Sequence, residues 1–128
     1  FAFVGVIVSL VAIYLVRNID RYKELDIEFR YSELVETVEP LRETAENAIL
    51  SGNFGNITFL DSGKAGLPDE VLASEETHGL SVIDGRIIAT WMRDKSDLDN
   101  VTYILTPVVE DGDVKWLTTG TCNRKKAC

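Results

Sequence analysis

The stretch Ile27-Glu-Phe-Arg-Tyr-Ser-Glu-Leu-Val-Glu-Thr-Val-Glu-Pro-Leu-Arg-Glu-Thr-Ala-Glu-Asn-Ala-Ile-Leu-Ser51 decides the fold. Within it Ile27, Tyr31, Leu34, Val38, Leu41, Ala45 and Ala48 step by four, three, four, three, four, three, which is one apolar stripe along several turns of helix. Charged and polar residues fill the other positions, so the spacing predicts an amphipathic helix with a single face suited to packing. Ser51-Gly52 supplies a stop through a left-handed glycine, and the helix should end near residue 51. Pro40 removes one backbone donor, yet the stripe keeps its phase across it, which predicts a kink and not a break.

Upstream of the stripe, Phe1-Ala-Phe-Val-Gly-Val-Ile-Val-Ser-Leu-Val-Ala-Ile-Tyr-Leu-Val16 carries no charged side chain. Its opening without methionine leads to the expectation that a leader is removed ahead of Phe1, and the lack of a basic start and small-residue cleavage site predicts that this run stays in the mature chain. As a helix it spans about 24 Å, a little short of the roughly 30 Å hydrocarbon core of a bilayer, so it can anchor marginally. Joined to the stripe it makes a rod of about 75 Å, whereas the residues after 51 form a head with a radius of gyration of only about 11 to 12 Å. The apolar part, residues 1–26, should therefore protrude and need shelter in lipid or among other copies of itself. Ala2, Gly5, Ser9 and Ala12, spaced three, four and three, form a small-residue face suited to close helix packing.

The head is expected to span residues 27–128, as helix 27–51, connection 53–80, antiparallel sheet 81–119 and a terminal loop 122–128. The connection is rich in glycine and reads as a long surface segment, with one short helical turn at Pro68-Asp-Glu-Val-Leu-Ala-Ser74. Strand signals follow at 85–92, 101–109 and 114–119, and Asp111-Gly112 supplies the positive φ angles of a tight hairpin. Ile87, Ala89 and Trp91 alternate with Ile88, Thr90 and Met92, so one face can meet the helix stripe. The fold class is thus α+β, a long N-terminal helix packed on a three- to four-stranded antiparallel sheet, in one domain of a 128-residue chain.

Thirteen basic against twenty-one acidic residues give a net charge of −8, which disfavours nucleic acid and anionic lipid as partners. The only two cysteines are Cys122 and Cys128. A bridge between them in an oxidising compartment would close a seven-residue loop and contribute about 2.4 kcal/mol on the loop-entropy estimate. A zinc half-site, which lacks two ligands, and two free thiols are the competing readings. His78, the single histidine, reads as a solvated loop residue, and no catalytic triad can be assembled around it. Asp94, Asp97, Asp99 and Asn100 share one loop and offer oxygens to calcium, but the glycine and distal glutamate of an EF-hand are missing. No catalytic residue, metal or cofactor is expected. Arg124, Lys125 and Lys126 read as a surface contact between subunits, with a host surface or DNA as the other options. Asn56-Ile-Thr58 and Asn100-Val-Thr102 match the N-glycosylation triplet and are assigned no role. Packing and membrane anchoring account for the helix aromatics Phe1, Phe3, Tyr14, Tyr22, Phe29 and Tyr31.

Taken together the chain resembles the bacterial type IV pilins, in particular the smaller class with a C-terminal disulfide-bounded loop. Phe1 with its uncharged run looks like a mature pilin amino terminus after prepilin peptidase cleavage, and Tyr31-Ser-Glu-Leu-Val-Glu-Thr-Val-Glu-Pro-Leu-Arg42 looks like the family's mid-helix segment. Leu105-Thr-Pro107, Gly112, Trp116 and the Cys122/Cys128 pair follow the order of the family's last two strands and loop. The resemblance implies a lollipop-shaped structural subunit held in the inner membrane before assembly, then packed by the pilus machinery into a helical homo-oligomer on the cell surface. It implies N-methylation of Phe1, and roles in adhesion, motility or DNA uptake. Two departures stand out: Gly5 replaces the family's glutamate, and Tyr14 and Tyr22 stand where relatives carry a helix-breaking glycine and proline. The second predicts that residues 1–39 stay more continuously helical in the filament than is usual for the family. A minor pilin, a secretion-system pseudopilin and a singly anchored periplasmic binding or sensor domain are the alternatives.

Overall fold

A computed structural model of the chain describes the backbone of residues 2–52 and 56–122, and within the helix the side chains of residues 9–15, 21 and 25 onward. Phe1, Arg124, Lys125, Lys126 and Cys128 lie outside the described residues, as does the side chain of Ala2, and Gly5 is described by its backbone alone.

Helix α1 runs from Ala2 to Ser51, 50 residues without interruption, and a rod of that length measures about 75 Å. It passes through Pro40, whose missing N–H leaves the Glu36 carbonyl without its ladder partner; both residues are exposed, so water can satisfy that oxygen. One turn on, the Thr44 hydroxyl donates to the Pro40 carbonyl at 2.9 Å. The helix ends as expected, on Gly52 at φ +65°, whose N–H reaches back to the Ile49 carbonyl at 3.3 Å.

The sheet is a four-stranded antiparallel meander in chain order, β1 (Gly79–Ile83), β2 (Arg86–Thr90), β3 (Thr102–Glu110) and β4 (Asp113–Thr119). Its two tight hairpins turn on Asp-Gly pairs. Asp84 and Gly85 have φ +52° and +81°, Asp111 and Gly112 +51° and +81°, the mirror-image turn that matches the twist of the strands. Pro107 lies in β3 beyond the last β2 pairing, Ile87 with Leu105, so only β4 borders it, opposite Trp116.

The helix stripe meets the sheet as its spacing requires. Tyr31, Leu34, Val38, Leu41 and Ala45 are buried against Val82, Ile87, Ala89, Trp91, Tyr103 and Leu105, with Leu98 and Val101 from the β2–β3 loop; Ile27 and Ala48 flank this core half-buried. The Tyr31 and Tyr103 rings meet edge to face, centroids 5.7 Å apart.

The connection departs from the expected surface loop. Leu60 and Leu67 are 0% and 4% exposed and belong to the core. Ser62 bonds Val82 through both its amide (2.9 Å to the carbonyl) and its hydroxyl (2.8 Å from the amide), and Asp61 Oδ1 accepts from the Asp84 amide at 3.0 Å. The segment is thereby fastened along β1. The helical turn expected at Pro68–Ser74 is absent; Val71 instead exchanges two backbone hydrogen bonds with Leu80, at 2.9 and 2.8 Å. Gly79 and Leu80, placed in the connection by sequence, are the first residues of β1.

Candidate assembly surface

The sheet covers one side of the helix, and the stripe it covers starts at Ile27. Before that point Leu10, Val11, Ile13, Tyr14 and Leu15 are all exposed, as are Ser9 and Ala12 of the expected small-residue face. At about 100° per residue the five large side chains spread over about 200° of the rod, more than the single face that the sheet covers. No helix among the described residues is long and apolar enough to cross a membrane.

Exposed apolar surface also continues into the part of the helix that carries the head. Leu25 is 51% and Phe29 72% exposed. At about 100° per residue, Val11, Tyr14, Leu25 and Phe29 fall within about 60° of one direction, and that direction lies opposite the buried stripe. Sequence reasoning assigned Phe29 to packing or anchoring together with Tyr31, but the two rings are two residues apart and therefore on opposite sides of the helix. Leu25 and Phe29 belong to no part of the core stripe, and their angles are the sequence signal for this second face.

At the far end of the head Cys122 is fully buried and disulfide-bonded, which overturns the zinc and free-thiol readings for that residue. Its approach is fixed by Thr121, whose hydroxyl accepts from the Thr102 amide at 2.9 Å while its own amide donates to the Thr102 hydroxyl at 3.0 Å. Gly120, at φ +120°, makes this possible, since a Cβ there would stand 2.3 Å from the Thr102 carbonyl oxygen.

His78 is not the solvated residue expected. Its Nδ1 accepts a hydrogen bond from the Met92 amide at 3.0 Å, and its ring lies against Trp91 with centroids 4.3 Å apart. Burial pushes its pKa below the ordinary value, against the opposing pull of Glu33 and Asp94. Two aspartates of the neighbouring loop, Asp94 and Asp99, are engaged by groups of that loop and of Trp91. Asp94 accepts from the Trp91 indole at 2.9 Å and from the Ser96 amide and hydroxyl at 3.0 and 2.6 Å, and Asp99 accepts from the Lys95 amide at 2.9 Å. Burial raises the Asp94 carboxyl, but the hydrogen bonds from Ser96 and Trp91 outweigh it and hold the group below the usual carboxylate range. Among the described residues no group of acidic, histidine or cysteine side chains has the arrangement of a metal site. Asn56 accepts from the Thr58 amide at 3.1 Å and caps the short 3-10 helix Ile57–Phe59.

The site with the most unsatisfied chemistry is therefore the helix itself, whose described side chains at residues 9–15 are all exposed and which carries exposed Leu25 and Phe29 on its outer side. Comparison with protein-family models, with curated proteins and with solved structures gives no match.

Proposed function

We propose that this chain is the structural subunit of a type IV pilus filament, polymerising through its apolar N-terminal helix and displaying the acidic head outside. The observation that carries the reading is the mismatch between a 50-residue helix and a head that sheathes it only from Ile27 on. Exposed Leu10, Val11, Ile13, Tyr14 and Leu15 lose their hydration cost only when lipid or neighbouring helices surround them. In this reading the inner membrane holds the helix before assembly, a prepilin peptidase exposes Phe1 for methylation, and the Cys122–Cys128 bridge fastens the end of the head. The head then serves adhesion, motility or DNA uptake, with Arg124, Lys125 and Lys126 in contact with a neighbouring subunit.

The test is electron microscopy of material sheared from cells that produce the full chain, with mass spectrometry of the purified fibres. Thin filaments composed of this chain, with a methylated Phe1, are the expected result. A full-length chain that is monomeric without detergent, its helix folded back on the head, would sink the proposal.

A second reading rests on Gly5. A methylated Phe1 amine is a positive charge in an apolar interior, and the carboxylate that relatives place at the fifth position is missing here. A minor subunit, with few copies at the tip, meets that cost only a few times per filament. Immunogold labelling separates the two, since a major subunit labels the whole length and a minor one labels an end.

A further inference from the structure

A groove of about 680 Å³ lies between one flank of α1 and the edge strand β4. Glu28, Ser32 and Glu36 line it from the helix and Thr118 from the strand, with the more buried Tyr31, Val35 and Tyr103 between them. Glu28, Ser32 and Glu36 stand at every fourth position, about 6 Å apart along the axis, so carboxylate, hydroxyl and carboxylate follow one another on one ridge of the helix. Both carboxylates are exposed, and among the described residues neither takes part in a hydrogen bond or salt bridge. Between residues 25 and 39 five acidic side chains stand against a single basic one, Arg30, which Asp26 already pairs. The Ser32 hydroxyl donates to the Phe29 carbonyl at 2.5 Å, which leaves its oxygen able to accept. Tyr31 is 3% exposed, yet its hydroxyl has no hydrogen-bond partner among the described residues.

We propose that this groove binds a linear polyamine with three ammonium groups, laid along the ridge Glu28–Ser32–Glu36. Three- and four-carbon spacers hold successive ammonium groups about 5 to 6 Å apart in an extended chain, which is the interval of the ridge. The outer ammonium groups pair with Glu28 and Glu36, and the central one donates to Ser32 Oγ and supplies the donor that the Tyr31 hydroxyl lacks. The methylenes between them rest on Val35 and Tyr103, as the stem of a lysine does on an apolar surface. A lysine or arginine side chain of a partner protein brings one charge per stem and meets one carboxylate, whereas a single thread of three charges meets the whole ridge. Among the described residues no group of side chains converges as a metal ion needs. The site lies in the head and goes beyond the filament reading.

Isothermal titration calorimetry of the full chain in a non-ionic detergent, with spermidine as the probe, tests the site. Saturable one-to-one binding that weakens as salt rises is the expected result. Glu28→Gln/Glu36→Gln should weaken it at least fivefold, while Asp111→Asn/Asp113→Asn, which removes the same charge from the far hairpin, should change it less than twofold. Putrescine, with two ammonium groups on one four-carbon spacer, reaches one carboxylate and should bind at least fivefold more weakly than spermidine. Thr118→Lys puts a cation on the opposite wall and should abolish binding. No saturable binding, equal loss in the two double variants, or unchanged binding by Thr118→Lys overturns the inference. A trilysine peptide that binds at least as tightly as spermidine, with the same dependence on Glu28 and Glu36, also overturns it and makes the groove a contact for protein. Each of these failures leaves the filament reading standing, and a chain that makes no filaments leaves this site standing.

Discussion

His78 shows how one nitrogen couples the fold to pH. Nδ1 must stay unprotonated to accept from the Met92 amide, and the folded chain therefore holds this histidine below its ordinary 6.5. The contribution to stability is complete above about pH 6.5 and is lost as pH falls toward the lowered folded value. Denaturant midpoints measured from pH 7.5 to 5 should fall, and His78→Asn, whose Oδ1 can accept the same hydrogen bond at any pH, should flatten the part of the decline due to this group. Tyr31 makes the opposite kind of prediction. Its hydroxyl is buried with no hydrogen-bond partner among the described residues, and burial raises its pKa, with Tyr103 adding to the effect. Tyr31→Phe removes an unsatisfied group and keeps the ring, so it should leave stability within about 0.5 kcal/mol or raise it in urea unfolding. Gly120→Ala should destabilise by about 1 to 3 kcal/mol, since neither φ +120° nor the Thr102 carbonyl admits a Cβ.

Helix and sheet differ in how much of them the sequence discloses. The stripe from Ile27 to Ala48 was legible because a period of 3.6 needs only local spacing, and every residue assigned to it is buried or half-buried. The hairpin at Asp111-Gly112 was legible for the same local reason. Asp84-Gly85 carries an equal signal between Val82 and Ile87, but Gly85 was absorbed into the following strand, which hid β1. Leu60 and Leu67 had no periodic neighbours to betray them; their burial depends on the segment lying along β1, which no local pattern encodes. The outer helix face was readable in the angles of Leu25 and Phe29, whereas its exposure depends on the sheet occupying the other side. A paired substitution measures that asymmetry. Leu34→Ala should cost about 2 to 5 kcal/mol of head stability, and Phe29→Ala less than about 0.5 kcal/mol in the dispersed chain, although Phe29→Ala should impair assembly.

For the molecule as one object, the decisive property is that the core begins at Ile27 while the helix begins at Ala2. A chain cut to residues 25–128 keeps the whole core and should be monomeric without detergent in sedimentation, whereas the full chain should require detergent or sediment as polymer. The same division governs how the molecule bears tension. A pull along the rod enters the head sideways, by shear across Tyr31, Leu34, Val38, Leu41 and Ala45, where many side chains share the load. Pro40, the weakest link in the backbone ladder, sits inside that clamped length, between buried Val38 and Leu41. In a chain not yet packed among its copies, stretching therefore starts ahead of Ile27, where the helix's own hydrogen bonds resist it, so the stem extends before the head gives way.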